Sequence, residues 1–322
     1  MASAVGKKAV ASAMLPMIFD THCHIGLIRR EKDPVPAGVL PRGIGNLPGD
    51  LVYDAEQKAA KAVRSGVPRL MIIGLCDKTS EQAAHVAAIA KSQMMSLVGA
   101  PDVPSFIDRS ACWAGYSVGI HPHSSQHLPS MWARIDQLAR EGVKLADGKT
   151  VLKPVAIGEC GLDYFKSTAS KEEQFASLKA HTMLSLELGL PIILHLRDAY
   201  DDFFACMKEW GITRLTGVFH CFSSTVQHML MGVELGLKIS FCGTLTYPKS
   251  HELRAAMTAC PPNSYVFETD SPFLPPQSNR GGINMPSNVT EVVACAAELR
   301  KEDPAAVAAC GWKNSCELFQ IQ

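Results

Sequence analysis

The 322-residue sequence predicts an α/β chain folded as a single-domain (β/α)8 TIM barrel. Eight short apolar runs, each ending in a polar residue or a glycine, alternate with segments of helical patterning. Strands and helices in alternation, joined by right-handed crossovers, build a parallel sheet. Eight such units close most naturally into a barrel, which needs roughly 250 residues and tolerates insertions. No glycine-rich dinucleotide or phosphate-loop fingerprint follows any run, which argues against an open doubly wound sheet.

The first run is MIFDTHCH, Met17 to His24, followed by a Pro- and Gly-rich stretch from Arg29 to Asp50. Residues 52–65 are rich in helix formers and stop at Gly66, a natural C-terminal residue. The run RLMIIG then ends at Gly74, and a helix is expected over 80–95 with Thr79 as its cap. Ala100 to Cys112, carrying Pro101 and Pro104, precedes the run GYSVGIH. This stretch and 29–50 read as insertions on the top or rim, where long loops shape a site or move. Ser130 is the expected cap of a helix running to about Arg140 before Gly142.

The run KPVAIGE leads to Ser170 with Glu173 three residues on, a capping-box signature, and its helix is expected to reach Glu187 before Gly189. LPIILH, LTGVFH, LKISFCG and YVFETD complete the runs, with helices expected at 199–209, 224–235, 250–258, 287–300 and 304–318.

Composition narrows the functional classes. At 47% hydrophobic and 19% charged the chain can bury a large core and is unlike a disordered one. Its formal net charge of zero provides no bulk cationic field for coating nucleic acid, although a bound metal pair would add local positive charge. The eleven cysteines lack CxxC spacing and read as reduced, mostly buried thiols rather than a structural zinc site.

No apolar stretch has bilayer length, so no membrane contact is expected, and no obligate protein partner is evident. The first nineteen residues hold two lysines and no acid but lack arginine and a long apolar segment. Residues 1–15 therefore read as a disordered tail, with Lys7-Lys8 solvated, and 16–322 as the barrel. Cytoplasm is the expected location, with nucleus or mitochondrion as alternatives.

Five of the eight run ends carry metal-capable side chains: His22 with His24, Glu159, His195, His220 and Asp270. A strand puts residues i and i+2 on one face, so His22 and His24 both point into the mouth and Cys23 into the wall. The alternative is two unrelated polar residues in a loop. A bare carboxylate at Glu159 is costly to bury unless it is metal-bound or paired with Lys or Arg. A carboxylate can bridge two cations, which makes Glu159 the candidate between two metals.

Alone, His195 or His220 reads as a satisfied core histidine; together, at equivalent ends of adjacent strands, they point to metal. Asp270, before the strand-stopping Pro272, can hold a metal and accept a proton from water. The set reads as a hydrolytic binuclear site with a metal-activated water, whose pKa falls to roughly 7. Its two divalent ions are zinc on the softness of imidazole, with magnesium or manganese admitted through oxygen ligands.

The motifs FDTHCH, GIHPH (Gly119 to His123), GECGLDY (Gly158 to Tyr164), LPIILHLRDA (Leu190 to Ala199), HCFS (His220 to Ser223) and ETDSPFL (Glu268 to Leu274) resemble the TatD-type deoxyribonucleases of the metal-dependent amidohydrolase superfamily. The resemblance extends from about Ile18 to the C-terminal KNSCELF. It implies one metal held by His22, His24, Glu159 and Asp270 and another by Glu159, His195 and His220, with Asp270 as general base. It also implies metal-dependent cleavage of DNA phosphodiesters, often as a 3′→5′ exonuclease. Cys160 and Phe273 depart from the usual aliphatic residue and tyrosine, and neither removes a ligand.

Candidate substrate contacts are His121 and His123, for a phosphate or the leaving oxygen, and Arg197, which shares the face of His195 or pairs with Asp163. Tyr164 reads as a base-stacking or packing residue, and Arg280 in SNRGGINMP as a phosphate contact after the eighth strand. The leading substrate is DNA, single-stranded or at 3′ ends. The alternatives are a hydrolase of small amides, esters or phosphoesters, and a barrel retained as a scaffold. The complete ligand set argues against the scaffold.

Overall fold

The computed structural model describes residues 16–27 and 42–321. Eight parallel strands follow one another around a barrel: β1 Phe19–Cys23, β2 Arg69–Ile72, β3 Trp113–Val118, β4 Ala156–Asp163, β5 Ile192–Arg197, β6 Gly217–His220, β7 Leu237–Phe241 and β8 Tyr265–Phe267. Each pairs in parallel with the next. The seam between β8 and β1 closes through Asp270 N–H to His22 O at 2.9 Å and His24 N–H to Ser271 O at 2.8 Å. The buried Asp20 carboxylate stitches the same seam by accepting from Thr269 N at 2.8 Å and Thr269 Oγ1 at 2.6 Å. A small antiparallel ribbon, Val143–Lys144 with Val151–Leu152, stands apart from the barrel.

Nine helices are described: α1 Gly49–Arg64, α2 Asp77–Leu97, α3 Leu128–Glu141, α4 Lys171–Leu188, α5 Tyr200–Glu209, α6 Val226–Leu235, α7 His251–Ala259, α8 Val289–Arg300 and α9 Pro304–Leu318. The Ser170 capping box forms in both directions, and Gly189 ends α4 in the left-handed conformation at φ 66°. Two expected caps sit elsewhere. Cys76 occupies the cap of α2, while Thr79, three residues inside, turns its hydroxyl back to accept from Leu75 N and Cys76 N. Ser130 lies within α3, its hydroxyl donating to His127 O at 2.9 Å.

Alternation along the strands divides the core in two. One set of buried residues, including Leu70, Ile72, Leu194 and Ile239, packs outward against the helices. The other, Phe19, Met71, Ile73, Ala156, Ile193, Val218 and Val266, fills the barrel with Leu318 and Phe319. Phe19 meets Trp113 edge to face and Phe319 at a tilt, with ring distances of 5.5 and 5.7 Å. Each large apolar side chain buried this way contributes roughly 1.5–3 kcal/mol. The aromatic plug seals the amino-terminal end of the barrel and leaves the carboxyl-terminal mouth polar.

The stretch 100–112 is not on that mouth. Arg69 Nε, at the start of β2, donates to Ala111 O, Trp113 N–H donates to Pro68 O, and Val103 and Ile107 are buried. A segment running from a helix into the next strand arrives at the strand's amino-terminal end, opposite the site. Most of the 29–50 stretch and the tail 1–15 lie outside the described residues; the described part is anchored to α2 by Gln82 Nε2 donating to Asn46 O. All eleven cysteines are free. Among the described residues, no helix is long and apolar enough to cross a membrane.

Candidate metal centre

The end of β1 supplies the first two donors. His22 Nε2 and His24 Nε2 lie 3.3 Å apart, while Cys23 turns into the wall and its Sγ donates to Met71 O. His24 Nδ1–H donates to Ile73 O at 3.2 Å, which fixes its tautomer and leaves a lone pair on Nε2 facing the mouth. The His22 ring stacks on His220 with centroids 3.6 Å apart.

Glu159 reaches the same space because β4 bulges. The register with β5 slips between Ile157 and Cys160, and Gly158 takes φ 130°, a conformation in which a Cβ would collide with Ile193. The carboxylate then divides its oxygens. Oε2 lies 3.3 Å from His22 Nε2 and 3.9 Å from His24 Nε2. Oε1 lies 2.9 Å from His195 Nδ1 and 3.4 Å from both His220 Nε2 and His121 Nε2.

Asp270 completes the first group, with Oδ1 3.3 Å from His24 Nε2 and 3.7 Å from His22 Nε2. Its backbone sits at φ 56°, held there by the bond from its N–H to His22 O.

Electrostatics match this crowding. Burial alone would raise the Glu159 carboxyl, but His220, His121 and His22 hold it well below the usual carboxylate range. Asp270 is also lowered, burial being outweighed by its bond to His24 and by His220. His220 is pushed up to about 10, because Glu268 and Glu159 outweigh its burial. His121 is lowered to about 4 by burial.

The donor set fits divalent cations. Three overlapping triads have donor atoms within 4.8 Å of one another: His22, His24 and Asp270; His22, Glu159 and His220; His121, Glu159 and His195. His22 Nδ1 is buried with no hydrogen-bond partner, and the two Nε2 atoms face each other across 3.3 Å, where a cation suits both lone pairs. Among the described residues no lysine or arginine forms an ion pair with Glu159 or Asp270, so the expected alternative of a Lys or Arg salt bridge is not what the structure contains.

All six ligand candidates from the sequence therefore converge at one place. His121 joins them through Glu159, whereas His123 stands further out, 41% exposed, with Nε2 3.0 Å from Asp163 Oδ2. Asp163 also meets His195 Nε2 at 3.0 Å and accepts from Phe165 N and Lys166 N. It is thus unavailable to Arg197, whose guanidinium instead lies over the Phe165 ring at 3.9 Å. Tyr164 faces a neighbouring cleft of about 360 Å³, its hydroxyl donating to Asp202 at 2.6 Å. Arg280 is exposed at the rim, stacked over Tyr247 at 4.4 Å.

Two carboxylates support the histidines in a role the sequence did not suggest, Asp163 having been expected only as a partner of Arg197. Asp163 holds His195, and Glu268 holds His220 through Nδ1 at 2.9 Å while accepting from Cys221 N and Ser240 Oγ. Parity could have found both: Asp163 is four residues past Glu159 on one strand, and Glu268 two before Asp270. Glu268 also neighbours Cys221 and Cys242, whose sulfurs are 3.1 Å apart. Contact with Cys242 and burial push the Cys221 thiol well above its usual range.

The cluster forms the floor of a cavity of about 930 Å³ whose walls include Lys166, Arg197, Tyr247, Lys249 and Phe273.

Comparison with known proteins agrees with this geometry. The family profile described as TatD related DNase matches residues 19–320. The chain is 30% identical over 273 residues to the 3′-5′ ssDNA/RNA exonuclease TatD of Erwinia billingiae, covering 83% of this chain and 94% of that protein. It is 34% identical over 207 residues to the metal-dependent hydrolase YcfH of Escherichia coli, covering 64% of this chain and 74% of that one. The crystal structure of YjjV, a TatD homologue from Escherichia coli, superposes with a TM-score of 0.69 at 25% identity, over 95% of this chain and 98% of that one. A matched profile across nearly the whole barrel, with carboxylates and histidines gathered at its mouth, establishes a metal-dependent hydrolase that belongs to the TatD related DNase family.

Proposed function

We propose that this chain is a metal-dependent nuclease that removes nucleotides from single-stranded DNA in the 3′→5′ direction. His22, His24, Glu159 and Asp270 would hold one divalent cation, and Glu159, His195 and His220 a second. The observation that carries the reading is the division of Glu159: one oxygen turned to His22 and His24, the other to His195 and His220. Zinc is favoured by the imidazoles, and magnesium or manganese is compatible with the carboxylates. When bound, such ions make a water acidic enough to lose its proton near neutral pH and offset charge on the phosphoryl oxygens.

The chain's own residues supply the remaining steps. Asp270 lines the cavity and, held below the usual carboxylate range, is ionised at neutral pH and accepts the proton of the attacking water on a carboxylate oxygen. His123, partly exposed and anchored on Asp163, is the group available to hand a proton to the leaving 3′-oxygen. Glu268 and Asp163 hold the rings of His220 and His195 in place, as partners of metal-binding histidines do. Lys166 and Lys249 line the cavity with no carboxylate partner among the described residues, so both are free to meet phosphate oxygens. A cytoplasmic location accords with eleven free cysteines.

The test is degradation of 5′-labelled single-stranded DNA with added divalent metal. Stepwise shortening from a free 3′ end, stopped by chelator, is expected, and a circular strand is expected to survive. Degradation that continues in excess chelator overturns the reading. RNA of the same sequence, run beside it, gives the sugar preference, since relatives are named for both polymers.

A further inference from the structure

Two guanidinium groups at the cavity rim share an arrangement that the reaction itself does not require. Arg197 Cζ lies 3.9 Å over the Phe165 ring, and Arg280 Cζ lies 4.4 Å over the Tyr247 ring. Neither arginine has a carboxylate partner among the described residues; Arg280 meets only Gln277 Oε1, at 3.3 Å. Phe165 leaves 59% of its surface in solvent beside a polar mouth, an apolar exposure the fold does not need. Tyr247 is pinned, its hydroxyl donating to Pro275 O at 2.7 Å, so its ring cannot swing away.

The two pairs occupy different sectors of the rim. Phe165 and Arg197 follow β4 and end β5, whereas Tyr247 and Arg280 follow β7 and β8, with the His–carboxylate cluster between them. Arg197 and Tyr247 face the same cavity.

We propose that Phe165/Arg197 and Tyr247/Arg280 are two base-stacking platforms that hold unpaired nucleotides on either side of the scissile phosphate. The inference rests on the nuclease reading of the cluster. A guanidinium held over a ring can keep its in-plane N–H groups for phosphate and offer its outer face to a base. Stacking accepts every base, so the platforms select for unpaired bases and not for sequence. In a duplex each base is already stacked and paired, and the platforms cannot reach it without fraying.

The test compares two single-stranded oligonucleotides in the metal-loaded protein, one with ordinary 3′-terminal nucleotides and one with abasic residues in the last two positions. Wild type is expected to cleave the ordinary end with a kcat/KM about tenfold or more above the abasic end. In Phe165→Ala and Tyr247→Ala that ratio is expected to fall toward one, and Phe165→Tyr is expected to restore it. A variant that lowers both rates together with the ratio kept, or a wild type that cleaves both ends equally, overturns the platforms while leaving the nuclease reading intact. A wild type inert on both oligonucleotides overturns the nuclease reading, and the platforms with it.

Discussion

Glu268 Oε1 lies 2.9 Å from His220 Nδ1, so the histidine that faces Glu159 with its Nε2 is gripped from behind by a second buried carboxylate. The same Glu268 accepts from Cys221 N and Ser240 Oγ, which fixes it to the ends of β6 and β7. With His22 stacked on its face at 3.6 Å, the His220 ring sits confined between the two carboxylates. Glu268→Gln preserves the size of the side chain but removes the charge that strengthens the ring as a ligand. Metal affinity and nuclease activity are each expected to fall about 10–100-fold with the fold retained. Competition with a chromophoric chelator reads the affinity, and an unchanged affinity would exclude a role for Glu268 at the metal.

Asp270→Asn, assayed at saturating divalent metal so that its part in holding the cation is offset, tests the proton transfer. The amide keeps an oxygen that can face His24 but cannot accept the proton of the attacking water. Loss of a general base costs about 10²–10⁴-fold. That loss is expected in kcat, with KM for the oligonucleotide within about threefold of wild type. A fall confined to KM would show that Asp270 positions substrate and does not act as the base.

His181 gives the fold a defined acid sensitivity. On α4 its Nδ1–H donates to Ser177 O at 2.7 Å and its Nε2 accepts from Ile120 N at 3.0 Å, so the ring must be neutral. Burial lowers its pKa to about 4 from 6.5. Between those values the unfolded chain binds the extra proton, so the stabilisation is complete above about pH 6.5 and drains away as pH falls through about 4. The full span is worth ~3 kcal/mol. Urea midpoints at pH 7 and pH 5 are expected to differ less in His181→Gln than in wild type; equal differences would remove His181 as the cause.

Much of this architecture was legible in the chain because two periodicities rarely conflict in a parallel barrel. The apolar runs gave the strands, and their polar ends gave the mouth. Parity correctly separated His22 and His24 from Cys23. The same rule, carried further, would have turned Tyr164 away from the mouth, since it follows the inward Asp163. Thr79 and Ser130 misled because a hydroxyl can bond backwards from inside the first turn as well as forwards from its cap. The 100–112 stretch was misplaced because its proline content says "loop" without saying at which end of the barrel; connectivity decides that. The support that Glu268 gives His220 and Asp163 gives His195 was not legible, because a second carboxylate beside a ligand gives no signal of its own until its partner's ring is placed.

Without a cation the cluster burdens the fold with buried charge. Glu159 is 2% exposed and Asp270 9%, and their neighbours on that side are imidazoles. Histidine charge must therefore balance the buried carboxylates when no cation is bound. A ligand that binds only the folded state at a hundredfold excess over its Kd stabilises it by about 2.7 kcal/mol. For a chain of this size each kcal/mol moves Tm by roughly 1.5 °C, so metal is expected to raise Tm by roughly 4 °C. Glu159→Gln removes the carboxylate common to both halves of the cluster, and most of that rise is expected to disappear with it. Thermal melts with zinc, manganese and magnesium, each against a chelated control, also rank the ions by the stabilisation they give. A rise in Glu159→Gln equal to that in wild type would place the responsible ion away from Glu159 and dissolve the two-sided assignment.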